Sequence, residues 1–289
     1  MRFFSNDAKS ANFPVERRTA LAHGQWAVLT ICCLLCSATG LFAGPSGCVL
    51  PKGLYQSWWR LEREYEGDPP NAATGRVWLD QDEIQRRYLA FAHSLAEASL
   101  RGNGETFQRC LALAKGDPFA SLVAALVEYL HYGRRRPSAF IASLPRNKKQ
   151  LADFWDLDLA VSQPRETITA LPGIPLPDGL AEKITTELFL LVRGGNRAAA
   201  QEYFFLYGHA DGAFSEFMMG QVEDLIVNQP QVILRQWQAI RPYANRIASD
   251  LRGDAEYSPR DWRNEVDSLR AACRKHPYPS CAEALRIFH

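Results

Sequence analysis

Three glutamates, Glu187, Glu202 and Glu216, stand beside apolar residues in the second half of the chain. A carboxyl group held in an apolar cleft is pushed toward the proton affinity a general acid needs, so these side chains could protonate a leaving group such as a glycosidic oxygen. Glu128 and His131 have the E-x-x-H spacing that puts a carboxylate and an imidazole on one helical face, half of what a di-iron bundle requires. His93 and Glu97, four apart, share a face in the same way. There is no second E-x-x-H, and two ligands do not complete a coordination sphere, so the sequence predicts no metal and no cofactor. His209 follows Gly208 at a helix end, where an imidazolium suits the dipole. No G-x-S-x-G elbow, phosphate-binding glycine loop or Cys–His nucleophile arrangement is present, and no catalytic residue is assigned.

Cysteine chemistry divides by neighbourhood. Cys273 and Cys281 flank a short turn with two prolines and could close a disulfide in an oxidising compartment. Cys110 sits among Phe107, Leu111 and Ala114 and reads as a buried core thiol, with no adjacent base or cation cluster to activate it.

The elements that must position these groups read as helices throughout. Pro51 to Tyr65 carries Leu54, Trp58, Leu61 and Tyr65 at helical spacing, suited either to a membrane interface or to the end of a core. Asp80, with Glu83 three residues on, opens a long helix whose apolar stripe is Ile84, Tyr88, Phe91, Leu95 and Ala98. Helices follow over about 105–115 and 118–132, the last apolar almost all round and so expected in the middle of a domain. Arg134, Arg135 and Arg136, with Arg146, Lys148 and Lys149, form a basic cluster that reads as a solvated face. Prolines at 164, 172, 175 and 177 exclude regular helix from most of 162–179, and helical patterning resumes from Leu180 to the C-terminus. The fold class is all-α, an irregular helical bundle or a short α-solenoid of stacked helix pairs. Its divisions are a linker with a short aromatic helix (49–79), a helical subdomain (80–161), a proline-rich linker (162–179) and a second helical subdomain (180–289).

One faint repeat adds organisation. Arg101-Gly102 to Gly116 spans the same length as Arg193-Gly194 to Gly208, each enclosing one helix, and Phe119 and Val127 of the next helix match Phe214 and Val222.

Ahead of all this, Arg17-Arg18 precedes a charge-free run from Trp26 to Ala43, the order of an export signal. Residues 1–48 are therefore expected to be a signal peptide or membrane anchor, and the chain to work outside the cytoplasm. Ser46-Gly47-Cys48 resembles a bacterial lipobox, and the resemblance implies lipidation at Cys48. Cleavage after Ala43, freeing a soluble protein, and an uncleaved anchor remain open beside it.

Beyond residue 48 the chain carries 29 basic and 30 acidic residues, a balance that offers no basic field and disfavours nucleic acid. With 47% apolar residues it can bury a substantial core. The expected function is a non-catalytic binding or scaffold module of the bacterial cell envelope, reaching the membrane through its N-terminal segment or a lipid and holding a protein partner. Met218, Met219, Phe204, Phe205 and Tyr207 are residues for a partner groove or, on the simpler reading, for the core. The alternative is a peptidoglycan hydrolase with a buried glutamate as general acid. The Gly-Leu-Met-Gln type signature of lytic transglycosylases is missing, and Phe217 to Gln221 only echoes its composition.

Overall fold

In the computed structural model, residues 47–65, 79–133, 137–162, 168–255 and 259–289 are described. The charge-free run and the export signal lie outside them, as do Arg134, Arg135 and Arg136. Among the described residues no helix is long and apolar enough to cross a membrane.

The class is all-α. In chain order the helices are α1 (Leu54–Tyr65), α2 (Gln81–Leu100), α3 (Gly104–Ala114), α4 (Pro118–Glu128), α5 (Ser138–Ser143), α6 (Lys148–Trp155) and α7 (Leu157–Ala160). After a short hairpin come α8 (Leu180–Arg193), α9 (Arg197–Tyr207), α10 (Gly212–Asn228), α11 (Pro230–Arg235), α12 (Trp237–Ile240), α13 (Ala244–Ala255), α14 (Pro259–Lys275) and α15 (Cys281–Ile287). One core runs from Cys48 to Phe288, and the chain from Gly47 to His289 forms a single unit.

The starts of the helices show how sequence dictates them. Asp80 accepts from the Glu83 backbone N–H at 2.8 Å, but Glu83 turns its own carboxylate to Arg86 and Arg87, so only the forward half of the capping box forms. Asn103 and Asn196 cap α3 and α9 through the N–H three residues on, at 3.1 and 3.0 Å. The glycine just before each is left-handed, φ +67° at Gly102 and +83° at Gly195, which lets one helix stop and the next begin within three residues.

Helix α4 is buried on nearly every side, as its all-round apolar sequence requires, and continues into a π turn at Tyr129–Gly133. Its Phe119 ring is met edge-on by Tyr55, Trp58 and Tyr88 at centroid distances of 5.7, 5.7 and 5.4 Å. Helix α1 is thereby a core element rather than part of a linker: Leu54 and Trp58 are buried, and Trp59 alone of its aromatic pair faces outward.

The proline-rich stretch makes an antiparallel hairpin, pairing Ala170 with Pro175 and Leu171 with Ile174 around a Pro172-Gly173 turn. Gly173 at φ +74° supplies the turn, and these are the only strands among the described residues. The hairpin leads into α8, whose N-terminus is capped from a distance: Asp158 of α7 accepts from the N–H groups of Leu180 and Ala181 at 2.6 and 3.2 Å. A side chain at Gly179 would strike that carboxylate, which is why the position before α8 is bare. Helices on either side of the hairpin also share aromatic packing, with Trp155 and Phe214 rings 4.7 Å apart. The stretches read from sequence as two subdomains are halves of one core.

Two disulfides close the molecule. Cys273 and Cys281 are bonded across the two-proline turn. Cys48 is bonded to Cys110 with their Cα atoms 5.3 Å apart. This corrects two expectations: Cys110 is not a free thiol, and the sulfur of Cys48 cannot form a lipid thioether while it is in the disulfide. The local signal of small residues before Cys48 carries no information about a partner that lies 62 residues away.

Candidate functional site

Of the three sequence-picked glutamates, the structure leaves Glu216 exposed and buries the other two. Glu187 is neutralised on its own helix by Lys183, whose Nζ lies 2.9 Å away. Glu202 differs. Its side chain is 1% exposed, one oxygen meets Arg146 Nη1 at 2.6 Å, and the other, Oε1, is buried with no hydrogen-bond partner. A buried acceptor left unmade costs about 1–3 kcal/mol, so such an oxygen calls for an explanation.

Glu202 lines a cleft of about 370 Å³ together with Arg146, Gln201, Phe205, Gln238, Ala239, Pro242 and Tyr243. Burial raises the Glu202 carboxyl to about 7, opposed by the charge of Arg146. Burial, and the nearby Glu202, also raise the Tyr243 hydroxyl. Arg146 is exposed like Lys148 and Lys149, as a solvated basic face requires, and besides meeting Glu202 its guanidinium donates to the Ile141 carbonyl at 2.9 Å.

The platform under Glu202 is braced at both ends. Gln236 donates to the Gly195 carbonyl just before α9 at 2.7 Å. Arg246 donates to the carbonyls of Gly208, at 2.7 Å, and Ala210 just after it. Along the helix, Tyr203 bonds the Met218 carbonyl at 3.1 Å and Tyr207 the Asp250 carboxylate at 2.8 Å. Gly208 leaves room for the Tyr243 ring, which any side chain there would overlap. These bonds hold the glutamate in place rather than on a loop, the arrangement a binding or reacting group requires.

The other sequence candidates do not converge. Glu128 is exposed and His131 half-buried on the π turn; Glu97 pairs with Arg101, and His93 is exposed beside it. Among the described residues no group of three or more His, Cys, Asp or Glu side chains is placed to hold a metal. His209 sits at the α9 terminus, Nδ1 2.8 Å from the Phe205 carbonyl. Met218, Phe204 and Tyr207 are core, while Phe205 reaches the cleft.

Sequence reading missed a second polar cluster. Tyr88 donates to Asp117 at 2.8 Å and Tyr55 to Asp153 at 2.7 Å, and burial raises both carboxyls. Asp117 also caps α4 through the Ala120 N–H, so it has a structural task. A third carboxyl, Glu182, is raised to about 7 by burial and by Asp158 beside it. An apolar groove of about 500 Å³, with Ala124, Ala125, Tyr129 and Phe140 in its lining, lies between α3, α4 and α5.

The fold and the cleft together define an all-α protein with a polar cleft beside a braced helix. No protein-family model matches the chain, and no curated protein or solved structure matches it significantly.

Proposed function

We propose that this chain is a non-catalytic binding module of the bacterial cell envelope, exported and tethered by its N-terminal segment, that holds a small polar ligand in the Glu202 cleft. The observation that carries the reading is the cleft itself, in which the exposed side chains of Arg146, Gln201 and Gln238 offer polar groups to a ligand above the buried Glu202 that anchors the arginine. The two disulfides support an oxidising compartment, and with it export. The near-neutral charge beyond residue 48 supports a protein or uncharged partner over nucleic acid.

A second reading, a glycan hydrolase, is favoured by one observation: Glu202, held at about 7, is matched to general-acid work at neutral pH. Against it, the cleft lining includes one carboxylate, whereas glycoside hydrolysis generally uses two. Incubating the purified full-length protein with cell-wall sacculi separates the two. Binding predicts co-sedimentation without release of soluble fragments. Release that Glu202→Gln abolishes would establish the hydrolase, and neither sedimentation nor release would remove both readings.

A further inference from the structure

We propose that a second pocket, between the first turn of α4 and helix α6, binds a primary ammonium group, held by Asp153 Oδ2 and the hydroxyl oxygens of Ser121 and Ser143. It shares no lining residue with the Glu202 cleft and stands independently of the reading of that cleft.

The pocket has a volume of about 260 Å³, room for an amine of a few carbons. Asp117 and Asp153 both line it, and no basic residue does. Lys149 acts on Asp153 from an exposed position one turn earlier on α6, and the Arg146 guanidinium is engaged by Glu202 and the Ile141 carbonyl. The two carboxyls differ in what they have left to offer. Asp117 is fully engaged, one oxygen by Tyr88 and the other by the Ala120 N–H. Asp153 is only 8% exposed and gives Oδ1 to Tyr55, but its Oδ2 has no partner among the described residues and is not sealed from solvent. Burial raises both carboxyls, and Lys149 offsets this only in part at Asp153, so a cation in the pocket would favour the charged form of each.

The two serines complete the pattern. Their hydrogens are already committed, Ser121 to the Ala114 carbonyl at 2.8 Å and Ser143 to the Phe140 carbonyl at 2.7 Å, so each has only lone pairs to offer a ligand. Three acceptors in a negative pocket match the three N–H bonds of an alkylammonium. A calcium ion would want about six to eight oxygens, and the Gln150 side-chain carbonyl is already taken by N–H groups of Arg146 and Asn147. Pro118, Leu122 and Pro145 supply carbon surface for the alkyl body.

The test is ligand-observed NMR on the full-length protein with n-butylammonium as probe and tetramethylammonium and calcium as competitors. n-Butylammonium is expected to bind saturably, and tetramethylammonium, which carries the charge without an N–H, should not displace it. Asp153→Asn keeps an acceptor for Tyr55 but turns a donor toward the pocket, so it should weaken binding at least about tenfold. Ser143→Ala, at an exposed position that the fold tolerates, should weaken it about fivefold. Glu202→Gln lies outside the pocket and should leave it unchanged. Absence of saturation, displacement by tetramethylammonium or by calcium, or binding indifferent to both Asp153→Asn and Ser143→Ala would each overturn the assignment. Loss of binding in Glu202→Gln would overturn it as well, by placing the amine in the other cleft.

Discussion

Helices α3 and α9 begin alike, each after a left-handed glycine and an asparagine cap, and each runs for 11 residues, yet they are embedded very differently. On α3 only Phe107, Cys110 and Ala114 are buried, with Thr106 and Leu111 partly covered. On α9 seven of the 11 are buried, because α12 and α5 also pack on it and cover faces that α3 leaves in water. Aligned from their asparagine caps, exposed Arg109 of α3 corresponds to buried Glu202 of α9, and Leu113, 38% exposed, to Leu206, 0% exposed. The difference teaches that the local motif sets where a helix starts, while its surroundings decide whether a polar residue on it becomes a solvated charge or a site. The two helices are also secured by different means: α3 by a covalent bond from Cys110 to Cys48, α9 by burial and by side chains from 236 to 250.

That contrast can be broken at several points. The largest effect is expected from Cys110→Ser, which opens the 62-residue loop holding α3; chain entropy puts the loss at about 4 kcal/mol, read from urea unfolding of oxidised protein. No loss would mean that α3 is held by packing like α9. Next, Leu206→Ala should cost about 3 kcal/mol, and Leu113→Ala at the matching position about 0.5 kcal/mol. Equal losses in the same unfolding assay would contradict the difference in embedding.

Third is the polar residue itself. The folded pKa of Glu202 lies above its ordinary value of 4.5, near 7, so the unfolded chain ionises first as pH rises. The stabilisation from the protonated, folded group is complete below about 4.5 and is lost as pH climbs to about 7. Glu202→Gln removes that dependence and should stabilise the protein by about 1–2 kcal/mol at pH 8, with part of the slope between pH 4.5 and 7 remaining because Glu182 is raised into the same range. Arg109→Gln should do neither. The last effect is the shared one: Asn103→Ala and Asn196→Ala should each cost about 1 kcal/mol, and unequal costs would show that the common start is only apparent.

How much of this the sequence disclosed follows from how local each signal is. The all-α class, the Asp80 cap, the apolar α4 and the glycine-bracketed α3 and α9 rest on residues within a few positions of one another, and all are legible. Glu202 was legible as a candidate but not separable from Glu187 and Glu216, since all three have apolar neighbours in the chain. What separates them is Lys183 on the same helix as Glu187, and for Glu202 an arginine 56 residues earlier, in a stretch that reads as a solvated basic face. The same limit hid the tyrosine partners of Asp117 and Asp153, and the bond from Cys48 to Cys110. The prolines of 162–179 read locally as a break between helices and could not show Asp158 reaching across to cap α8.

The central claim is that Glu202 is a buried, half-partnered carboxyl on a braced helix, and side-chain carboxyl ¹³C NMR across pH tests it most directly. The account predicts a midpoint near 7 for Glu202, moving higher in Arg146→Met as the opposing charge is removed. A midpoint near the ordinary 4.5, unmoved by the arginine substitution, would contradict it.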